Sequence, residues 1–376
     1  ATDFTDNDNN WTAGEYNNAA KDNAGLDAHW AAQMTYDYFK NKHNRNSYDN
    51  AGAKIKSYVH FDSNYENAFW NGSVMSYGDG SCVSEGCNGF DALTSIDVAA
   101  HEIGHAVTTF TANLAYQRES GGLNEGFSDI WGAAIEHYAK GNGSDTSPSA
   151  AVWLIGDEID RRSGSAALRS MSNPTSLGQP DTYGGQYWQN PNCGTPSQNN
   201  DYCGVHTNSG VLNHWYYRTV VGGSGTNDIG NSFNVSGIGM TKASSIAYRT
   251  LSFYLSGNST FANARTGSIQ AAIDLYGADG AEEQAVTNAW HAVGVGSAYD
   301  GGGNPPPGEC QTGDIYLSIT FDNYPEETGW TLKNASGTTI DSANYTSSNP
   351  DGSTVAKTFS SLAVGDYTFT ITDAYG

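Results

Sequence analysis

His101-Glu102-Ile103-Gly104-His105 is the stretch on which the reading of this chain turns. Around it, Ile96, Ala99, Ala100, Ile103, Ala106, Val107 and Phe110 recur at steps of three and four, which predicts a helix with an apolar face toward a core. His101 and His105 are four apart and project one above the other from the opposite face. Two imidazoles one helical turn apart can grip a single metal ion, with Glu102 beside them, the H-E-x-x-H arrangement of zinc peptidases. A surface helix with two histidines would look the same over five residues, so a third ligand has to be sought elsewhere.

It lies downstream in Gly121-Gly122-Leu123-Asn124-Glu125-Gly126-Phe127-Ser128-Asp129. Leu123, Phe127, Ile130, Trp131, Ala134, Ile135 and Tyr138 mark a second helix, with Glu125 and Asp129 four apart on one face. Two neutral histidines and one carboxylate leave a fourth position for water, the catalytic kind of zinc site rather than the closed structural kind. Asp129 is placed to accept the spare ring N–H of a ligating histidine. Glu102, adjacent to His101, reaches the metal's water without ligating, as a general base would.

These two stretches resemble the thermolysin-like zinc endopeptidases, the gluzincins, and within them the secreted bacterial neutral proteases of vibriolysin and pseudolysin type. DAHWAAQMTYDYFKNKHNR, NAFWNGSVMSYGDG, ALRSMSNP, GVHTNSGVLNH and NAWHAVGV look like family segments in family order, so the resemblance covers roughly residues 20–297. It implies an α+β fold: a two-lobed zinc peptidase with a β-rich N-terminal lobe, a central metal-binding helix and a helical C-terminal lobe. The implied function is a secreted endopeptidase that hydrolyses proteins by zinc-activated water. His101, His105 and Glu125 would hold one catalytic zinc. Tyr116 and His206 would stabilise the oxyanion, with Asp201 orienting His206. Asn67 and Ala68 would pair with an extended substrate. Val98, Ile155, Ile159 and Leu168 would line the pocket after the scissile bond, and Arg169 would bind a substrate carbonyl. That aliphatic wall implies a preference for Leu, Phe or a similar bulky residue. Asp97, Glu136 and Asp157 match acidic calcium positions, whereas Val152 and Leu154 stand where some members carry further carboxylates. A single structural calcium site is therefore expected, with Asp145 a substitute ligand. The family also implies a precursor with signal and propeptide, of which this chain reads as a mature form that has lost both, and a monomer acting on protein or peptide substrates outside the cell.

Length and charge set outer bounds. At 376 residues, 38% of them hydrophobic, the chain can bury sizeable cores in two or three units. A net charge of −23, from 40 acidic against 17 basic residues, repels nucleic acid and anionic membranes, and no apolar run approaches a membrane span. Five cysteines are present. Cys82 with Cys87 and Cys193 with Cys203 enclose short loops and predict local disulfides, hence secretion; a four-cysteine metal site is the alternative, though it lacks Cys-x-x-Cys steps. Cys310 is left over.

Along the chain, residues 1–25 read as a solvated acidic segment in which Asp3, Asp6 and Asp8 could otherwise meet calcium. Residues 26–39 read as a helix packed through Trp30, Met34 and Tyr38. His29, His43 and His60 lack ligand spacing. Residues 54–61 alternate like a strand, and Asn71-Gly72 between 67–70 and 73–77 signals a hairpin whose edge could take up a peptide. Helices are expected at 211–221, 242–255, 262–275 and 281–293. The expected division is 1–115 for the N-terminal lobe with the metal helix, 116–298 for the helical lobe, 299–309 for a Gly/Pro linker and 310–376 for a small all-β module. Strands at 315–321, 329–332, 354–359 and 367–371 build that module, which resembles accessory modules of secreted peptidases and reads as incomplete. An aminopeptidase would show a Gly-x-Met-Glu-Asn-like stretch, which is absent. A non-catalytic metal-binding protein would have no use for Glu102. Serine hydrolase and nucleotide-binding motifs are also missing.

Overall fold

The computed structural model describes residues 23–82, 86–141, 145–301, 312–363 and 365–374. Asp3, Asp6, Asp8, Cys310 and most of the expected linker lie outside these. The chain separates into two compact units, residues 1–302 and 303–376.

In the first unit, helix α1 (Asn23–His43) packs through Ala28, Ala31, Thr35, Tyr38 and Phe39. Trp30, expected in that seam, is instead 41% exposed. The alanine stripe lets α1 approach its neighbours closely and turns Trp30 outward. Strands β1 (Ser57–Tyr58), β2 (Ala68–Trp70) and β3 (Met75–Tyr77) form a sheet in the order β1-β3-β2, so β2 is an edge. The alternating run at 54–61 yields only the two residues of β1, because His60, Asp62 and Asn64 adopt positive φ and break the extended path. The β2–β3 turn centres on Gly72 (φ 94) and Ser73, one residue later than expected, with Asn71 Oδ1 accepting from the amides of Ser73 and Val74.

Helix α2 (Ile96–Thr109) carries the histidine pair, and α3 (Arg118–Lys140) runs against it. Phe110, expected on the buried face of α2, lies past its end and is half exposed. Helix α3 is buried from Ser120 to Glu136, and its glycines allow that. A Cβ on Gly126 would stand 2.8 Å from Leu212, and one on Gly132 would stand 2.8 Å from the Asp97 carbonyl. The pair β4 (Leu154–Ile155) and β5 (Arg169–Ser170) follows, then α4 (Asp201–Val221), the hairpin of β6 (Gly222–Thr226) and β7 (Ser232–Ser236), and helices α5 (Met240–Arg249), α6 (Phe261–Tyr276) and α7 (Ala281–Ala292). One hydrophobic core, centred on Trp131, Trp215, Trp290 and Phe127, runs through α1 to α7.

The second unit has strands β8 (Thr312–Thr320), β9 (Thr328–Asn334), β10 (Thr339–Asn344), β11 (Thr354–Ala363) and β12 (Tyr367–Asp373). They form sheets β10-β9-β12 and β11-β8 over a small core of Ile319, Phe321, Trp330, Leu332 and Phe359. Strand β10 has too few apolar residues to be read from alternation.

Candidate metal centre and active site

The site is built where α2, α3 and the start of α4 meet. His101 Nδ1 donates to Asp129 Oδ1 at 2.7 Å. His105 Nδ1 donates to Asn124 Oδ1 at 2.7 Å, and the Asn124 amide in turn donates to the Leu114 carbonyl. With both Nδ1 atoms donating, the two Nε2 lone pairs face each other 3.0 Å apart. Neutral imidazoles cannot rest so; a proton or a cation has to lie between them. Glu125 closes the group, with its oxygens 3.4 Å from each Nε2. The carboxylate is buried, and its Oε2 has no hydrogen-bond partner. His101, His105 and Glu125 thus form a three-ligand group, and its nitrogen and carboxylate donors suit zinc.

Electrostatics match this arrangement. Burial opposes charge on His101, yet Asp129 and Glu125 raise the imidazole to about 10. His105, where burial wins, is lowered. Burial alone would raise Glu125, but His206, His105 and His101 hold it well below the carboxylate range. Arg169 donates twice to Asp129, each at 2.7 Å, and Asn213 Nδ2 donates once more at 2.7 Å. These offset the burial of Asp129 and keep it ionised.

Glu102 is buried beside the group without belonging to it, and its Oε2 accepts the Trp70 amide at 3.0 Å. That amide belongs to edge strand β2, so the carboxylate and the strand are tied together. Asn67 is exposed, with its carbonyl bonded to the Gly78 amide, while Ala68 is buried. Tyr116 OH donates to Glu125 Oε1 at 2.5 Å and lies 3.0 Å from His206 Nε2. Burial and Glu125 push the phenol up, so it stays a donor. The Glu125 charge raises His206, and Asp201 adds to it by accepting from His206 Nδ1 at 2.5 Å and from the His206 amide at 3.0 Å.

Asp201 reaches both groups because α4 begins with a left-handed turn. Asp201, Tyr202, Cys203 and Gly204 have φ of 51, 48, 69 and 84. Such turns cost roughly 1–2 kcal/mol for each residue other than glycine. The Cys193–Cys203 disulfide pins the turn, and Cys82–Cys87 is likewise formed. Val98, Ile155 and Ile159 are buried in the main core and Leu168 packs against it, its amide donating to the Ile155 carbonyl.

Asp97 Oδ2 accepts the Gly156 amide, which brings Asp157 beside α2 and near Glu136. Asp97 Oδ1, Glu136 Oε2 and Asp157 Oδ1 are buried without partners. Oxygen is the donor calcium takes, but among the described residues these three carboxylates do not converge as closely as the His101, His105 and Glu125 group. Asp145, considered above as a substitute ligand, accepts with Oδ1 from the amide and hydroxyl of Thr241 in the first turn of α5.

Models of the thermolysin metallopeptidase catalytic domain and of its alpha-helical domain match residues 1–109 and 112–295. The chain belongs to the thermolysin metallopeptidase family. It is 47% identical over 281 residues to a bacillolysin of Bacillus cereus, covering 74% of this chain and 45% of that protein. A thermolysin of Alicyclobacillus acidocaldarius is 44% identical over 278 residues, 74% of this chain and 46% of the other. The precursor of protealysin, a metalloproteinase from Serratia proteamaculans, shares the fold at 32% identity with a TM-score of 0.57, over 72% of this chain and 78% of that one. The chain spans about half the length of the curated relatives it matches. The family uses a catalytic zinc and structural calcium, and His101, His105 and Glu125 are the donor set here that fits the zinc.

Sequence reading missed Asn124, Asn213, the Trp70 amide and the left-handed turn. Asn124 had a signal: a buried amide inside a helix is costly unless paired.

Proposed function

We propose that this chain is a secreted, zinc-dependent endopeptidase that hydrolyses proteins and prefers a bulky hydrophobic residue after the scissile bond. The observation that carries the reading is Glu102: a carboxylate held beside a three-ligand metal group that it does not join. A structural or merely metal-binding site has no use for it.

In this reading His101, His105 and Glu125 hold the zinc. When bound, zinc polarises the scissile carbonyl and lowers the pKa of water to about 7. Glu102 takes the proton from the attacking water and delivers it to the departing nitrogen. Tyr116 and His206 donate to the developing oxyanion, each such donor contributing about 2.7–4 kcal/mol. Asp201 keeps His206 charged and aimed. The substrate lies extended along β2, with Asn67 and Ala68 pairing to its backbone. Val98, Ile155, Ile159 and Leu168 receive the following side chain, while Arg169, oriented by Asp129, binds a carbonyl. Asp97, Glu136 and Asp157 hold one structural calcium. The two disulfides support an extracellular setting. A propeptide in the precursor and a monomeric mature form complete the proposal.

The test is to digest a mixed protein substrate with the zinc-loaded chain and sequence the new N-termini. Leu, Phe and similar residues should dominate. New termini that are mostly charged or small would contradict the pocket, and absence of cleavage would contradict the activity.

A further inference from the structure

His206 is aimed by Asp201, and Asp201 is aimed by a turn that its own residues disfavour. Asp201, Tyr202 and Cys203 are left-handed without being glycine, and of the four residues in the turn Gly204 alone takes that conformation freely. Such a run persists where its surroundings hold it. The hydrogen bonds of the preceding loop stay within the loop. Tyr202 N donates to the Ser197 carbonyl at 2.8 Å, and the Asn200 side chain bonds Ser197 N and the Thr195 carbonyl. A covalent tie runs outward from the turn: Cys203, 1% exposed, is bonded to the exposed Cys193. The segment around Cys193 is gripped in turn by Arg118, which donates to the carbonyls of Pro191 and Gly194, each at 2.7 Å. Arg118 is the first residue of α3, the helix that carries Glu125. A ligand helix, an arginine, a disulfide and a left-handed turn thus stand in series behind one oxyanion donor. The right-handed part of α4 has separate holders. Gln179 Nε2 donates to the His206 carbonyl at 2.6 Å, and Val205 packs on Gly121.

We propose that Cys203, through its bond to Cys193, is a positioning residue for His206: the disulfide holds the left-handed turn, the turn holds the Asp201 carboxylate against His206, and opening the bond lowers turnover without disturbing the zinc. The inference rests on the endopeptidase reading above. With the bond intact, Asp201 accepts from both the ring and the amide of His206. When a dithiol opens it, two electrons and two protons pass to the sulfurs, the dithiol leaves as its own disulfide, and Cys193 and Cys203 become thiols. The three residues other than glycine are then free to leave the left-handed region. Asp201 goes with them, and the imidazole loses the acceptor that fixes its tautomer and direction. His101, His105 and Glu125 lie on α2 and α3 and keep their places. An oxyanion donor acts on the transition state, so the loss falls on kcat rather than KM. A bridge that served stability alone would shift Tm and leave kcat as it was.

The experiment uses the full zinc-loaded chain and one short peptide substrate, well below the Tm of every variant. Cys193→Ser should lower kcat roughly 10–100-fold, short of outright loss of the donor, with KM within about twofold and zinc content unchanged. In an Asp201→Ala background the same substitution should cost less than about twofold, because the contact it acts through is already gone. A second route does not depend on the folding of Cys193→Ser. A chain carrying Cys82→Ala, Cys87→Ala and Cys310→Ala, folded with the remaining bridge intact, is treated with dithiothreitol, freed of the reagent and reloaded with zinc. Its kcat should fall by a similar factor and return on reoxidation. Unchanged kcat after reduction, a change in KM alone, or losses that multiply with Asp201→Ala would overturn the positioning role and leave the peptidase reading in place. A parent chain that cleaves nothing would overturn that reading and this inference with it.

Discussion

At the scale of single residues, each ligating histidine depends on a partner behind it. His101 leans on Asp129, which the i, i+4 relation to Glu125 made legible. His105 leans on Asn124, whose side chain is held in turn by the Leu114 carbonyl. Asn124 directly precedes Glu125, so one step around α3 separates a ligand from a ligand's support. Losing it frees the His105 ring to rotate and to adopt the wrong tautomer. Asn124→Ala should therefore weaken zinc binding about 10–100-fold, by the usual cost of removing such a partner. Competition with a zinc chelator measures this. Unchanged zinc affinity would show that Ser128, 3.1 Å from His105 Nδ1, suffices alone. The sequence names the ligands because spacing on a helix fixes them. Behind them it names Asp129 but not Asn124, whose role depends on how two helices meet.

Elements whose apolar face is long and one-sided were legible: α2, α3 and the helices at 240–292 lie close to where periodicity places them. Local exceptions to the backbone were not. Positive φ at 60, 62 and 64 shortens β1, and the turn at 201–204 starts α4 ten residues before its apolar pattern begins. Helix α4 also buries a histidine that the site does not use. His214 Nδ1 donates to the Met171 carbonyl and its Nε2 accepts from Arg218 Nε, so the ring is fixed in its neutral form. Burial, with the Arg218 charge, lowers it from 6.5 to about 4. Its folded value is below its unfolded one, so the unfolded chain binds the extra proton. The stability this ring supplies is then complete above pH 6.5 and is lost as pH falls from 6.5 toward 4. Between pH 7 and 5 the loss should be roughly 2 kcal/mol. His214→Gln, which can still donate and accept, should lose less over the same interval. Equal losses in the two proteins would mean that other groups carry the acid sensitivity.

Across the whole molecule, every residue placed in the chemistry lies within the first compact unit, and the second has a core of its own. The two lobes and the extra β module were legible from composition and resemblance. The fifth strand of that module was not, since Thr339–Asn344 offers few apolar side chains to alternate. What the account asserts above all is a division of labour in one pentapeptide: His101 and His105 bind the metal, and Glu102 between them moves the proton. Zinc content and turnover of the Glu102→Ala chain, measured on the same preparation, test that division most directly. The account predicts about one zinc per chain with nearly all peptide hydrolysis gone. Loss of zinc together with activity would make Glu102 a ligand or a folding residue, and retention of both would leave it without a role in the reaction.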